Sequence, residues 1–256
     1  MVSQNAQPAV ADSMPAKKPE IRPRRRLASL RVRTIGWIGL GAGVFGVGGG
    51  LLKVLHPASV DETRYSYPFD SLGFTVENGT LAVQHAALGL LVWGVWRSGA
   101  AGRSTLARIG AAGTITAWTA FAAVKGLAIT ARDEPVGSPL ADTVDGLSGL
   151  AGTSIAVFSI LLGIAVLRAH DWTDWGRFIP LVAGVFVFAA VIPSLILGSF
   201  TLARVAIIAW MGLWAALGWV LTRAETRASQ PVTTRPRSAS PVLPEPGQFP
   251  PPGSGS

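Results

Sequence analysis

The sequence predicts an all-α membrane protein, a bundle of six transmembrane helices with both termini in the cytoplasm. Three observations carry that reading. Hydrophobic residues make up 49% of the 256 and charged residues only 14%. The apolar residues fall in six blocks, each long enough to cross a bilayer as a helix. Of the 22 lysines and arginines, 17 lie on one side of the threading those blocks imply, and that side is cytoplasmic by the positive-inside tendency.

The first block, residues 35–55, carries glycine at Gly36, Gly39, Gly43, Gly46 and Gly50. Intervals of three and four place all five on one stripe of a helix, where a neighbour can pack backbone to backbone. Trp37, Ile38, Val44, Phe45, Leu51 and Leu52 occupy the opposite stripe and suit lipid. Residues 1–33 lack periodicity and end in a basic run from Lys17 to Arg33, read as a disordered cytoplasmic arm beside anionic headgroups rather than a nucleic-acid binder. No small-x-small cleavage site follows the first block, so it is expected to be an uncleaved span.

A polar, acidic loop follows to about residue 79, holding Asp61, Glu62, Asp70 and Glu77, with Tyr65, Tyr67, Phe69 and Phe74 as interfacial or lid aromatics. The second block, 80–96, and the third, 106–129, flank an arginine-bearing connection. A second acidic loop with Asp133, Glu134, Asp142 and Asp145 also holds Pro135 and Pro139, expected to keep it non-helical. In the fourth block, 146–167, Gly149, Gly152 and Gly163 continue the small-residue rhythm. Trp172 and Trp175 follow as candidate interfacial anchors, and Pro193 is expected to bend the fifth block, 178–199. A tight turn leads to the sixth, 202–221. The membrane domain thus spans 34–222, followed by a Pro-rich tail, 223–256, expected to be disordered.

Polar residues inside such blocks are costly unless partnered, so they are the candidate ligand- or proton-binding residues. Gln84 and His85 lie deepest, roughly 5 Å from the middle of their span at about 1.5 Å per residue. His85 is either a proton carrier or ligand or a histidine hydrogen-bonded between helices. His56, near the end of the first block, could pair with it only if the two imidazoles shared a depth, and they differ by one or two turns. His170 is a solvated loop residue in this reading. Lys53 and Lys125 sit about 12 to 13 Å from their span centres, within snorkelling reach of the interface. If the first and fourth helices packed through their small-residue stripes, Lys53 would meet Asp145, and that contact is expected.

Cysteine is absent, which removes disulfides, thiolate ligands and cysteine nucleophiles. There is no phosphate-binding G-x-x-x-x-G-K-[ST] loop, nucleophile elbow or H-E-x-x-H pair, so no catalytic residue, metal or cofactor is assigned. Asn78-Gly79-Thr80 abuts a span and is given no weight as a glycosylation acceptor. Ser238, Ser240 and the Pro241–Pro244 spacing are weak tail motifs. Expected partners are the bilayer and another membrane protein or a second copy, with no nucleic acid.

With Tyr65-Ser66-Tyr67-Pro68-Phe69 ahead of the second span and this threading, the chain resembles small six-span integral membrane proteins of high-GC bacteria. The resemblance implies the bacterial cytoplasmic membrane and no site residues. The leading reading is a non-enzymatic accessory, sensory or scaffold component. The rival is a small-solute or proton-coupled transporter with an outward-facing cavity near His85, and a haem-binding or lipid-modifying enzyme stands third.

Overall fold

The computed structural model describes the backbone of residues 23–172 and 174–228 and the side chains of 31–172 and 174–223. Most of the arm and the tail motifs at Ser238, Ser240 and 241–244 lie outside the described residues. Helices run over α1 (Pro23–Leu55), α2 (Ser71–Arg97), α3 (Thr105–Ala128), α4 (Pro139–Ala169), α5 (Ile179–Phe186), α6 (Ile192–Ile196) and α7 (Phe200–Ala228). A π-helical turn, Val187–Val191, joins α5 to α6 as one continuous segment. Among the described residues, six helical segments are long and apolar enough to span a membrane, and there is no strand.

Several helices start before their apolar blocks, each for a local reason. Pro23 opens α1 eleven residues ahead of the expected domain edge, since the first turn has no use for the missing N–H. At α2 the Asp70 carboxylate accepts the Gly73 amide at 2.7 Å, so residues 71–79, expected in a loop, are helical. At α4 the Ser138 hydroxyl accepts the Ala141 amide at 3.3 Å and Pro139 takes the first helical position. Pro139 therefore starts a helix in the segment where it was expected to prevent one.

Close approaches give the directions. A Cβ on Gly36 would meet the Thr222 amide nitrogen at 2.8 Å and one on Gly50 the Ile208 side chain at 2.5 Å, and Gly43 lies on Ala215, so α1 and α7 are antiparallel. Gly39 on Leu91 and Gly46 on Gln84 set α1 antiparallel to α2 in the same way. The five stripe glycines thus alternate between two neighbours, while Gly41, Gly48 and Gly49 face open space. Gly110 against Leu162 and Gly163 against Leu181 continue the alternation through α3, α4 and α5. The helices form a ring in chain order, closed by α5 on α7 and α7 on α1.

The ring overturns the expected pairing of the first and fourth helices, which share no contact. The stripe of α1 is consumed by α7 and α2. That of α4 is split: Gly163 packs on α5, whereas Gly149 and Gly152 have nothing within 4 Å. The π turn and Pro193 explain the split, because they redirect the fifth segment so that α6 keeps α7 as a neighbour and leaves α4.

The ring is filled at its centre. Trp118 of α3 stacks on Trp210 of α7 at 5.4 Å and meets Trp214 edge-on at 5.2 Å, with Leu88, Leu91 and Val92 of α2 fully buried beside them. At one end the loops 56–70 and 129–138 are tied together: Tyr65 N–H donates to Glu134 O at 3.0 Å and Val136 N–H to Thr63 O at 2.8 Å. Beneath them Phe69, Phe74, Val124, Ala128, Ala131 and Val144 form a second apolar cluster, so this end of the bundle is capped.

Candidate functional site

Under the cap, four helices bring together charges that are far apart in sequence. Lys53 lies in the last turn of α1 and Lys125 in that of α3, where a cation also suits the helix dipole. Glu77 stands in the second turn of α2 and Arg204 in the second turn of α7. Lys53 Nζ meets Glu77 Oε1 at 2.8 Å, with the two side chains 12% and 17% exposed. Lys125, Arg204 and Glu77 all lie within electrostatic reach of Lys53, and Asp145 within reach of Lys125 and Arg204.

This replaces the expected Lys53 to Asp145 contact. With α1 and α4 on different sides of the ring, Lys53 takes the carboxylate that the early start of α2 carries to it, and Asp145 accepts instead from the Tyr65 hydroxyl at 2.8 Å. Burial and that hydrogen bond to a carboxylate push the Tyr65 phenol well above its ordinary range. Nearby in the cap, Ser71 Oγ donates to Asp133, whose carboxyl is held below the usual range by that bond.

The cations are incompletely matched. Among the described residues Lys125 forms no ion pair and places its ammonium 4.9 Å from the centre of the Phe121 ring. Arg204 lies 5.0 Å from the Phe200 ring, and its Nε is buried without a hydrogen-bond partner. Glu77 Oε2 is likewise buried without one. Three cations thus cluster under the cap with two carboxylates, Glu77 among them and Asp145 exposed at the edge, a cluster termed the recess.

Deeper in the bundle, His85 is 5% exposed and lies between the Phe121 ring at 4.6 Å and the Trp118 ring at 5.2 Å. Its Nδ1 bonds the Leu81 carbonyl. A carbonyl only accepts, so Nδ1 carries a proton there, and in the neutral tautomer the lone pair lies on Nε2. Gln84 points the other way, donating to the Ala42 carbonyl of α1 at 3.0 Å and touching the Met211 sulfur at 3.4 Å. His56 packs against Phe69 at the cap, 5.0 Å between ring centres, on different rings from His85. His170 ends α4 with a left-handed backbone, exposed as expected for a loop histidine.

Of the six candidate ligand-binding residues, Lys53, Lys125 and Asp145 belong to the recess, His85 lies one aromatic ring below it, and Gln84 and His56 are directed elsewhere. Sequence reasoning missed Glu77, Arg204 and Tyr65. Glu77 precedes the apolar block of its helix and falls in a stretch whose composition reads as loop, and only the Asp70 cap makes that stretch helical. Arg204 carried the clearer signal, a lone charge inside the apolar run from Leu202 to Trp210.

The chain matches no protein-family model, no curated protein and no solved structure, so its likeness to six-span membrane proteins is one of topology, six long apolar helices in an up-and-down ring.

Proposed function

We propose that this chain is a multi-pass protein of the bacterial cytoplasmic membrane with both termini in the cytoplasm. In this reading it is a non-enzymatic accessory, sensory or scaffold component, acting by binding rather than by carrying a solute across. The capped end with its acidic loops is then extracellular, and the arginine-rich ends are internal. Around the ring, half-exposed Trp37, Val44, Phe45 and Leu52 support immersion of α1 in lipid.

The single observation that carries the choice is the filled centre. Trp118, Trp210 and Trp214 interlock where a carrier needs a switchable path, and His85 is wedged against Trp118 with one nitrogen committed to its own helix. A second reading, proton-coupled transport, draws on the Nε2 lone pair of His85, one ring away from Lys125. The two separate in proteoliposomes loaded with a pH dye under an imposed potential. A binding component leaves proton entry equal for the native protein and His85→Ala; proton entry that disappears in His85→Ala contradicts it.

A further inference from the structure

We infer that the recess under the cap is a binding site for one phosphate-type oxyanion, the phosphodiester of a phospholipid headgroup entering from the side of the bundle. The argument starts with charge. Lys53, Lys125 and Arg204 face Glu77 and Asp145, leaving one positive charge in excess. Glu77 pairs through Oε1 with Lys53 and Asp145 accepts from Tyr65, which leaves Lys125 without an ion pair among the described residues and Arg204 with its Nε buried and unpartnered. Their present contacts are faces of aromatic rings, which a charge-assisted bond to an oxyanion outcompetes. A phosphodiester carries the single negative charge that neutralises the recess.

Depth and access identify the source. All four charged groups of α1, α2, α3 and α7 lie within two turns of their helix ends, within snorkelling reach of lipid headgroups. The face of α4 at that end is also bare. Asp145 lies one turn from Gly149, the open glycines Gly149 and Gly152 present no side chain, and α6 has left α4. An acyl chain can lie along that bare face of α4 while its phosphate reaches Lys125 and Arg204. The lipid source rests on the capped end being at a membrane surface, as proposed above; the oxyanion chemistry of the recess does not.

The test is native mass spectrometry of the full-length protein released from micelles, titrated with phosphatidylglycerol, with diacylglycerol of the same chains, and with inorganic phosphate. One phosphatidylglycerol should be retained per chain. Retention should fall about tenfold in Lys125→Gln and in Arg204→Gln, the loss of one charge-assisted contact, and stay unchanged in Arg168→Gln at the opposite end. Diacylglycerol held as firmly as phosphatidylglycerol by the native protein would overturn the proposal without any variant having to fold. Retention unaffected by both substitutions would overturn it too. Inorganic phosphate bound in place of the lipid would overturn the lipid source. None of these outcomes depends on proton movement, so the proposal and the binding-component reading fail separately.

Discussion

Tyr65 shows how much of the cap hangs on single polar contacts. Its hydroxyl reaches across 80 residues to Asp145, and its backbone amide bonds the other loop at Glu134. Tyr65→Phe keeps the ring, which meets Phe74 at 5.8 Å, and removes only the donor. The expected loss is about 0.5–1.5 kcal/mol, toward the low end because the bond is exposed to solvent. The pH dependence follows from the raised phenol. The protonated form is the one favoured by folding, so its contribution is full below the ordinary tyrosine value of about 10 and is lost as pH rises beyond it. Alkaline titration of near-ultraviolet tyrosinate absorbance should show a late step that Tyr65→Phe lacks. A late step surviving in that variant would assign it elsewhere. Nothing in the local sequence of Tyr65 announces Asp145 as its partner; that meeting is made by two loops pairing, a non-local event which residue spacing does not encode.

Among the elements, α1 was the most legible and α4 the least. The three-and-four spacing of Gly36, Gly39, Gly43, Gly46 and Gly50 does mark one helix face, and all five meet neighbours closely. The spacing does not say which neighbours, because a stripe without side chains accepts any helix of suitable shape. Two matching stripes suggest that α1 pairs with α4, and the ring seats α1 between α7 and α2 instead. On α4 the same rhythm is half used, since a π turn and Pro193 on a different segment decide whether Gly149 has company. Substitutions separate the two kinds of glycine. Gly43→Ala drives a methyl into the Ala215 backbone and should cost about 1–3 kcal/mol as overpacking. Gly48→Ala meets open space and should gain up to about 1 kcal/mol from helix propensity. Thermal unfolding in micelles measures both, and equal effects at the two positions would contradict the described face of α1.

At the scale of the whole molecule, hydropathy blocks and arginine placement made the six helices and their alternation readable. The existence of a polar recess was only half readable. Its lysines stand at block ends, but Glu77 sits on a helix that starts ahead of its apolar block and Arg204 is a single charge near the start of another. What the fold adds is convergence: a ring of antiparallel helices returns α1, α2, α3 and α7 to one end, where a lone charge on each becomes a cluster. The tryptophan core below it holds the ring shut, so the capped end and the opposite end are chemically distinct surfaces, one acidic and one arginine-rich.

The account depends on those two ends facing opposite sides of a membrane, and the absence of cysteine makes that directly measurable. Ser59→Cys places a thiol on the exposed loop of the capped end and Arg103→Cys one on the exposed connection at the other. With a membrane-impermeant maleimide, Ser59→Cys should label in intact cells and Arg103→Cys only after lysis. Labelling of Arg103→Cys in intact cells, with Ser59→Cys protected until lysis, would contradict the threading and move the cationic recess to the cytoplasmic surface.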